Sequence, residues 1–290
     1  MRKRGNLEHH LTWTDDLLPD NKLPGSYALL SDEPTTDTAV IFFHGFWGDA
    51  HETWLNFESM IDSHRTRYPE WDRSDLFFFQ YSSFRRSISD IAGLVLKVVE
   101  SIYPNPPTKL FELDVPAMGI PNVFQKSLDQ HKYEKLLLVG HSEGGAVLRR
   151  AIEIAYKNKK LGKELAGATM NLFAPAHLGF EPKGWIGSCL SVARISQVAM
   201  TIFNASPAFV EMKEKTTLLN TATNTNLYAK ESPDFKALRA RVLIGQHDMI
   251  VVRGEFAYDE VLDQVPDQDH TSICKPRGKY LTPLTFAQGK

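Results

Sequence analysis

Cysteine is scarce in this sequence. The 290 residues contain two cysteines, Cys189 and Cys274, which is too few for the disulfide framework that stabilises many small secreted domains. A reducing, cytoplasmic location is therefore the simplest expectation. The spacing of cysteines and histidines also matches no zinc-site pattern, so the sequence predicts neither a metal ion nor another cofactor.

The sequence also has no large excess of charge. Its formal net charge is −2 at pH 7, which gives no broad electrostatic attraction to nucleic acid. The basic residues at positions 2–4 are followed by polar residues instead of an apolar stretch, and this argues against a secretory signal peptide. The apolar segment 190–203 is too short and too often interrupted by polar residues to form a transmembrane helix.

What is present fits an ordinary globular chain. Hydrophobic residues make up 42% of it and charged residues 23%, as is usual for such proteins. A chain of this length accommodates a domain with its own core, without disulfides or metals to stabilise it. We therefore expect residues 1–290 to form a single α/β domain that carries an insertion.

The most informative motif is Gly-His-Ser-Glu-Gly-Gly at residues 140–145. An apolar run at 135–139 precedes it and a helix-prone stretch at 146–152 follows it, which predicts a strand, a sharp turn and a helix in succession. Such a turn strains the backbone of its central residue and lifts that side chain above the sheet, so Ser142 is the candidate nucleophile. Glycines on either side would let the strand and the helix approach closely. The alternative is a glycine-rich loop that only turns.

A second apolar run at 39–43 leads into His44-Gly45-Phe46. A continuous apolar run ended by glycine is typical of a strand buried on both faces of a parallel sheet. The loop behind that strand can direct a backbone N–H at a carbonyl oxygen under attack, and we assign this donor to Phe46. Together with the N–H of Glu143 it would form an oxyanion hole. An ordinary strand-ending turn is the alternative.

Two further polar residues complete a catalytic set. Asp248 lies just past the end of a buried strand predicted to start at 241, and His270 lies in a polar loop after a predicted last strand at 261–265. Each alone has a plain alternative, because an aspartate after a strand often forms a turn or caps a helix and most surface histidines have no catalytic role. With Ser142, however, they give the chain order nucleophile, acid, base.

With these residues in this order, the chain resembles the α/β-hydrolases, in particular the serine esterase/lipase-like branch that includes the GPI inositol-deacylase-like proteins. The resemblance rests on residues 44–46, the motif at 140–145, the strand ending at Asp248 and the segment 270–276, and so extends over residues 39–276. It implies an α/β fold with a mostly parallel central sheet, helices on both faces and a helical lid or cap insertion.

The resemblance also implies a role for each residue. Ser142 would be the nucleophile, Asp248 the acid, His270 the base, and the N–H groups of Phe46 and Glu143 the oxyanion donors. Glu143 also places a carboxylate beside the nucleophile, where many relatives carry an apolar residue. The implied reaction is hydrolysis of a carboxylic ester, either small or lipid, through an acyl-enzyme. An amidase, a thioesterase or a transacylase would use the same residues, and a non-catalytic scaffold is the remaining alternative.

A long stretch separates the strand predicted at 168–173 from the one that ends at Asp248, too long for a plain connection. We predict a lid or cap insertion at 177–238 that lies over the catalytic edge of the sheet. Its apolar face would line an acyl-binding pocket or make peripheral contact with a lipid membrane. The alternative is a set of additional helices that pack on the sheet.

Hydrophobic patterning and turn residues predict the remaining elements. They are edge strands near 7–13 and 26–30, a strand at 76–81, and helices at 53–64, 88–103 and 123–131. Prolines at positions 104, 106 and 107 would end the helix at 88–103.

Overall fold

The computed structural model of the chain describes residues 9–10, 26–31, 36–106, 131–158, 163–179, 203–251, 256–262 and 264–290. Within them the strands are β1 (His9–His10), β2 (Tyr27–Leu29), β3 (Thr38–Phe43), β4 (Ser74–Phe79), β5 (Lys135–His141), β6 (Thr169–Phe173), β7 (Ala240–Leu243) and β8 (Glu260–Val261). The helices are α1 (Phe57–Ser63), α2 (Ile88–Ile102), α3 (Glu143–Lys157), α4 (Lys163–Ala166), α5 (Pro207–Glu214), α6 (Thr216–Glu231) and α7 (Thr282–Ala287). Short 3₁₀ helices lie at Pro69–Arg73 and Lys236–Leu238.

These strands form one mostly parallel sheet in the order β1-β2-β4-β3-β5-β6-β7-β8. The β1–β2 and β2–β4 pairs are antiparallel, and the other neighbours pair parallel. This sheet, with helices on both faces, is the α/β-hydrolase fold that the sequence predicts. The antiparallel edge contains both predicted edge strands. The second, predicted at 26–30, is observed at 27–29, and of the first, predicted at 7–13, the described residues are 9 and 10.

Side chains alternate between the two faces of the sheet, as the two-residue period of a strand requires. In β3, Ala39, Ile41 and Phe43 pack in a core beneath α2 and α3, whereas Val40 and Phe42 pack in a second core on the opposite face. Helices α1 and α7 close that second core. Because both faces are covered, the strand is apolar from residue 39 to residue 43, and an uninterrupted apolar run therefore predicts it.

The pairing register brings the loops after the central strands to one edge of the sheet. Phe43, the last residue of β3, pairs with Gly140 of β5. His141, the last residue of β5, pairs with Phe173 at the end of β6. The loop that begins at His44 and the turn that follows His141 are consequently neighbours.

The helix predicted at 88–103 is confirmed as α2. Its first turn is closed by a capping box, in which the Ser87 hydroxyl accepts from the Asp90 N–H and the Asp90 carboxylate accepts from the Ser87 N–H. The helix ends just before Pro104, as predicted, because the proline that follows cannot continue it. The helix predicted at 123–131 lies outside the described residues, apart from residue 131.

Two other predicted elements differ in extent from those observed. The helix predicted at 53–64 begins only at residue 57, because Asn56 takes a left-handed conformation (φ 69°) that cannot belong to a right-handed helix. The last strand, predicted at 261–265, is observed as Glu260–Val261 at the exposed edge of the sheet. Val265 pairs only through an isolated bridge.

The described part of the predicted lid, 177–238, contains α5 and α6. Helix α6 packs along α3 and α5 contacts α2, so these helices add to the layer that covers the first core. Phe203, which precedes α5, instead packs its ring against Trp47 in the loop after β3, with centroids 4.5 Å apart. Residues 180–202 lie outside the described residues, and a lid over the site stays a prediction.

Candidate active site

Ser142 lies at the turn between β5 and α3, where a buried strand runs directly into a helix. Its backbone has φ 52° and ψ −119°, a conformation that non-glycine residues rarely adopt and that costs about 1–3 kcal/mol. Its N–H donates to the Phe173 carbonyl (3.0 Å), and its own carbonyl accepts from the N–H of Ala176 (2.9 Å). The neighbouring strand β6 and its loop therefore hold the strained turn in place.

The backbone packs so closely around this turn that positions 140 and 144 have no room for a side chain. A Cβ on Gly144 would lie 2.4 Å from the Phe43 carbonyl oxygen and 2.6 Å from that of His44, both backbone atoms. A Cβ on Gly140 would lie 2.9 Å from the backbone nitrogen of Gly145. The first turn of α3 consequently touches the end of β3, which is the close approach that the motif predicts.

The structure brings the three predicted catalytic side chains into one hydrogen-bonded chain. His270 Nδ1 lies 2.9 Å from Asp248 Oδ2, and His270 Nε2 lies 2.9 Å from Ser142 Oγ. An ionised carboxylate can only accept, so the Nδ1–H of His270 donates to Asp248. This tautomer leaves the lone pair on Nε2 free to accept the hydroxyl proton of Ser142.

Asp248 is held as a carboxylate by its partners. Its side chain is fully buried, and burial alone would raise its pKa. The hydrogen bond and charge of His270 and the N–H groups of Ile250 and Val251 more than offset this and lower the pKa below its usual value. The acid is therefore ionised at neutral pH, as its predicted role requires.

Gly245 lets the loops of Asp248 and His270 lie close together. The sequence analysis does not include it among the site residues. A Cβ there would lie 2.4 Å from the carbonyl oxygen of Gln268. That same carbonyl accepts from the N–H of His247 at 3.0 Å. A glycine at the end of a strand, three residues before the acid, is the signal that could have found it.

The loop after β3 runs beside the nucleophile. A Cβ on Gly45 would lie 2.9 Å from the Cβ of Ser142. The buried ring of His44 donates from Nδ1 to the Gly45 carbonyl (2.7 Å) and accepts at Nε2 from the Tyr81 N–H (3.2 Å). Burial lowers the pKa of His44 to about 4, so the ring is neutral and keeps this pattern at physiological pH. Phe46 thus follows a peptide whose orientation is fixed.

The carboxyl group of Glu143, the residue after the nucleophile, has an unusually high pKa. It is fully buried, and neither of its oxygens makes a hydrogen bond of normal geometry with a described residue. Burial raises its pKa to about 8; the adjacent Ser83 hydroxyl opposes this rise and Glu211 adds to it. A pKa in this range favours the neutral acid at pH 7, since no cation among the described residues compensates the burial.

Neither a metal site nor a reactive thiol is evident in the described part of the chain. Its histidine, cysteine and acidic residues include no group of three or more that could hold a metal ion. Cys274 is a free, buried thiol whose pKa is raised to about 12 by burial, so it is unreactive at neutral pH. Among the described helices, none combines the length and the apolar character needed to cross a membrane.

The sequence matches no protein-family model and no curated protein significantly. Similar solved structures include Est1E from Butyrivibrio proteoclasticus, with a TM-score of 0.48, 14% identity and 91% of both chains covered. A monoacylglycerol lipase from Paleococcus ferrophilus has a TM-score of 0.46 and 10% identity over 91% of this chain and 96% of that one. Phospholipase PlaB from Legionella pneumophila matches 72% of this chain, with a TM-score of 0.44 and 16% identity. The match covers only 37% of the length of the phospholipase. At these identities the likeness concerns the fold alone.

Proposed function

We propose that the chain is a serine hydrolase that cleaves carboxylic esters through an acyl-enzyme on Ser142. The observation that carries this proposal is the continuous path from Asp248 through His270 to the Ser142 hydroxyl, with both hydrogen bonds at 2.9 Å. Hydrogen-bonded contact between a nucleophile, a base and an orienting acid is the arrangement that activates a serine. The strained backbone of Ser142 supports it further, since such strain concentrates at functional sites.

In the first half of the reaction, the Oγ of Ser142 attacks the ester carbonyl carbon while its proton passes to Nε2 of His270. The new C–O bond converts the carbonyl oxygen to an oxyanion. Asp248 stabilises the imidazolium that forms and keeps its ring in place without taking a proton. The tetrahedral intermediate then collapses, and His270 returns the proton to the departing alcohol.

We assign stabilisation of the oxyanion to the N–H groups of Phe46 and Glu143. Two observations support this assignment: the Gly45 peptide that precedes Phe46 is fixed by His44 beside Ser142, and Glu143 is the first residue of α3. A helix N-terminus favours negative charge at its exposed N–H groups. Each such donor contributes about 3 kcal/mol to transition-state stabilisation.

In the second half, water attacks the acyl-enzyme. His270 takes the water proton, and the second tetrahedral intermediate collapses to release the carboxylic acid and restore the Ser142 hydroxyl. The water oxygen and one of its protons end in the carboxylic acid, and the other proton passes through His270 to the serine. No further reactant is needed for the balance.

We infer an apolar acyl group, including that of a lipid ester, from the aromatic side chains beside the site. Phe46 contacts the rings of Phe203 and Phe209, with centroids 6.1 and 5.7 Å away. Trp47 in the same loop and Met249 next to the acid are 63% and 77% exposed. Exposed apolar side chains at a catalytic edge favour substrates presented at a lipid surface, so we also propose peripheral membrane contact there.

The test of the activity is labelling with a fluorescent fluorophosphonate, which reacts with activated serines. We expect wild type to be labelled and Ser142→Ala and His270→Ala to lose labelling while remaining folded. p-Nitrophenyl esters from acetyl to palmitoyl would then give the chain-length preference, and matched thioesters and anilides would separate the thioesterase and amidase alternatives. Labelling that persists in folded Ser142→Ala, or is absent from folded wild type with and without detergent, would contradict the proposal.

Membrane contact has its own test, sedimentation with phosphatidylcholine vesicles. We expect Trp47→Ser to reduce the vesicle-bound fraction. Leu227→Ser is the matched control, because Leu227 is an apolar residue of α6 that is 50% exposed, and it should bind as wild type does. Equal losses in both variants, or no binding by wild type, would argue against contact through the catalytic edge.

A further inference from the structure

A second histidine lies within the active site, directly before the nucleophile. His141 is the last residue of β5, and it is 7% exposed. Its ring lies beside that of His270, with centroids 4.9 Å apart. The mechanism proposed above gives this side chain no part.

The ring of His141 makes a hydrogen bond across the site. Its Nε2 lies 2.7 Å from the backbone carbonyl oxygen of His270. Since a carbonyl oxygen only accepts, the proton must be on Nε2 of His141, and this ring donates to the backbone of the catalytic base. The bond joins residues 129 positions apart in the chain, and it links the strand that carries the nucleophile to the loop that carries the base.

This donor is insensitive to pH over the physiological range. Burial, reinforced by the neighbouring His270, lowers the pKa of His141 to about 3; the hydrogen bond to the His270 carbonyl and the charge of Asp248 oppose that effect, and Lys275 adds to it. The ring therefore stays neutral and donates from one nitrogen only.

The loop around His270 is held by hydrogen bonds, and the bond from His141 is one of them. Hydrogen bonds hold the residues on either side: the Gln268 carbonyl accepts from the His247 N–H, and the Asp269 carboxylate accepts from the N–H groups of Thr271 and Ser272. The carbonyl of His270 itself is held by the ring of His141. Because the carbonyl carbon and the imidazole are attached to the same Cα, a shift of the His270 backbone would also move the imidazole relative to Ser142 and Asp248.

We propose that His141 is a positioning residue that holds the backbone of His270, so that its imidazole stays within reach of both Ser142 and Asp248. The inference rests on the serine hydrolase activity proposed for the same site. Geometric fixing of reacting groups is a large part of catalysis, and a misplacement of about 1 Å can cost about 100-fold in rate. His141 would thus act through His270 and would not touch the substrate.

The test compares two substitutions of His141. In His141→Gln the side-chain amide nitrogen is as many bonds from the backbone as Nε2 is, so the donor remains, whereas His141→Leu removes it. With a p-nitrophenyl ester we expect kcat of the leucine variant to fall about 10- to 100-fold with KM within about two-fold of wild type. The glutamine variant should recover most of kcat.

A matched control is the partly buried His64, whose Nδ1 lies 3.0 Å from the Met60 carbonyl oxygen at the end of α1. His64→Leu also removes a histidine donor to a backbone carbonyl, and it should keep the kcat of wild type. Near-ultraviolet circular dichroism establishes that each variant is folded before rates are compared.

A second readout does not need turnover. The proton shared between His270 Nδ1 and Asp248 should give a low-field resonance in the proton NMR spectrum. We expect it in wild type and His141→Gln and its loss or broadening in His141→Leu. If wild type fails to react with a fluorophosphonate, the proposed activity is wrong, and this resonance still decides whether His141 positions the base.

Two results would overturn the inference. One is a folded His141→Leu variant that keeps both the wild-type kcat and the low-field resonance. The other is a His141→Gln variant no better than His141→Leu, since the loss would then follow from changed packing and not from the missing donor.

Discussion

The nucleophile and its two partners are held in place by different means. Ser142 lies between two regular elements, and glycines let its turn pack directly against the end of β3. Asp248 and His270 lie in loops beyond strand ends, and hydrogen bonds to backbone atoms, such as that from His141 to the His270 carbonyl, fix their positions. The turn depends on the absence of side-chain atoms, whereas the loops depend on particular polar atoms as well as on the close approach of Gly245 to Gln268.

Two buried carboxyl groups, one in a loop and one in the turn, differ in their hydrogen-bond partners. Asp248 in its loop has His270 and two backbone N–H groups as partners, and its pKa lies below the usual value despite burial. Glu143 in the first turn of α3 has no hydrogen-bond partner of normal geometry among the described residues, and burial raises its pKa to about 8. Burial alone thus does not decide the charge of a group, because hydrogen-bond partners can offset its effect on the pKa.

The largest expected effect comes from removing a polar atom of the loops. Asp248→Asn should keep the shape of the side chain but lose the ionised acceptor of the His270 Nδ1–H, so the ring loses its productive tautomer. We expect kcat/KM for a p-nitrophenyl ester to fall about 10³- to 10⁴-fold. A folded asparagine variant with kcat/KM within tenfold of wild type would refute the role of Asp248.

A smaller effect, on stability, is expected at Glu143. The unfolded chain releases this proton near pH 4.5, whereas the folded protein keeps it until about pH 8. Between these values rising pH therefore favours the unfolded state, by about 1.4 kcal/mol per pH unit. In urea unfolding, the free energy of unfolding of Glu143→Gln relative to wild type should therefore rise by about 2–3 kcal/mol between pH 5 and pH 7.

The control is Glu153→Gln in the same helix. Burial would raise the pKa of Glu153, but hydrogen bonds from Lys157, Arg150, Thr221 and Asn224 lower it below its usual value. This variant should therefore be less stable than wild type at pH 7, and its deficit should shrink as the pH falls below about 4.5, where the unfolded carboxyl takes up its proton. If the free energy of unfolding changed with pH equally in wild type and Glu143→Gln, the raised pKa of Glu143 would be contradicted.

The smallest expected effect tests the close packing of the turn. Gly144→Ala would place a methyl group against two backbone carbonyl oxygens, and we expect the free energy of unfolding to fall by about 1–3 kcal/mol. Gly93 in α2 is the matched control, since a Cβ there meets nothing within 4 Å, and Gly93→Ala should add about 0.5–1 kcal/mol. Equal effects of the two alanines in thermal or urea unfolding would show that the turn is not tightly packed.

The same contrast explains what the sequence predicts and what it does not. The buried run 39–43 and the motif at 140–145 have local signals, because a strand between two helical layers is apolar throughout and a close-packed turn needs small residues. Asp248 and His270 have no such local signal and became candidates only through their order in the chain. The fold and the three catalytic candidates could therefore be predicted from these residues.

Other features depend on contacts between distant residues. The raised pKa of Glu143 follows from burial with no compensating cation among the described residues, and the hydrogen bond from His141 joins residues 129 positions apart. The packing of Gly245 against Gln268 joins two loops that no sequence pattern relates. None of these contacts leaves a periodic pattern, so tertiary structure is needed to find them.

The proposed acyl-enzyme on Ser142 can be observed by mass spectrometry of the protein quenched during turnover of a p-nitrophenyl ester. We expect one acyl group per chain, attached within the tryptic peptide 136–149 that contains Ser142, and no acyl group on the Ser142→Ala variant. An acyl group on another residue, or ester turnover that is retained in Ser142→Ala, would contradict this proposal.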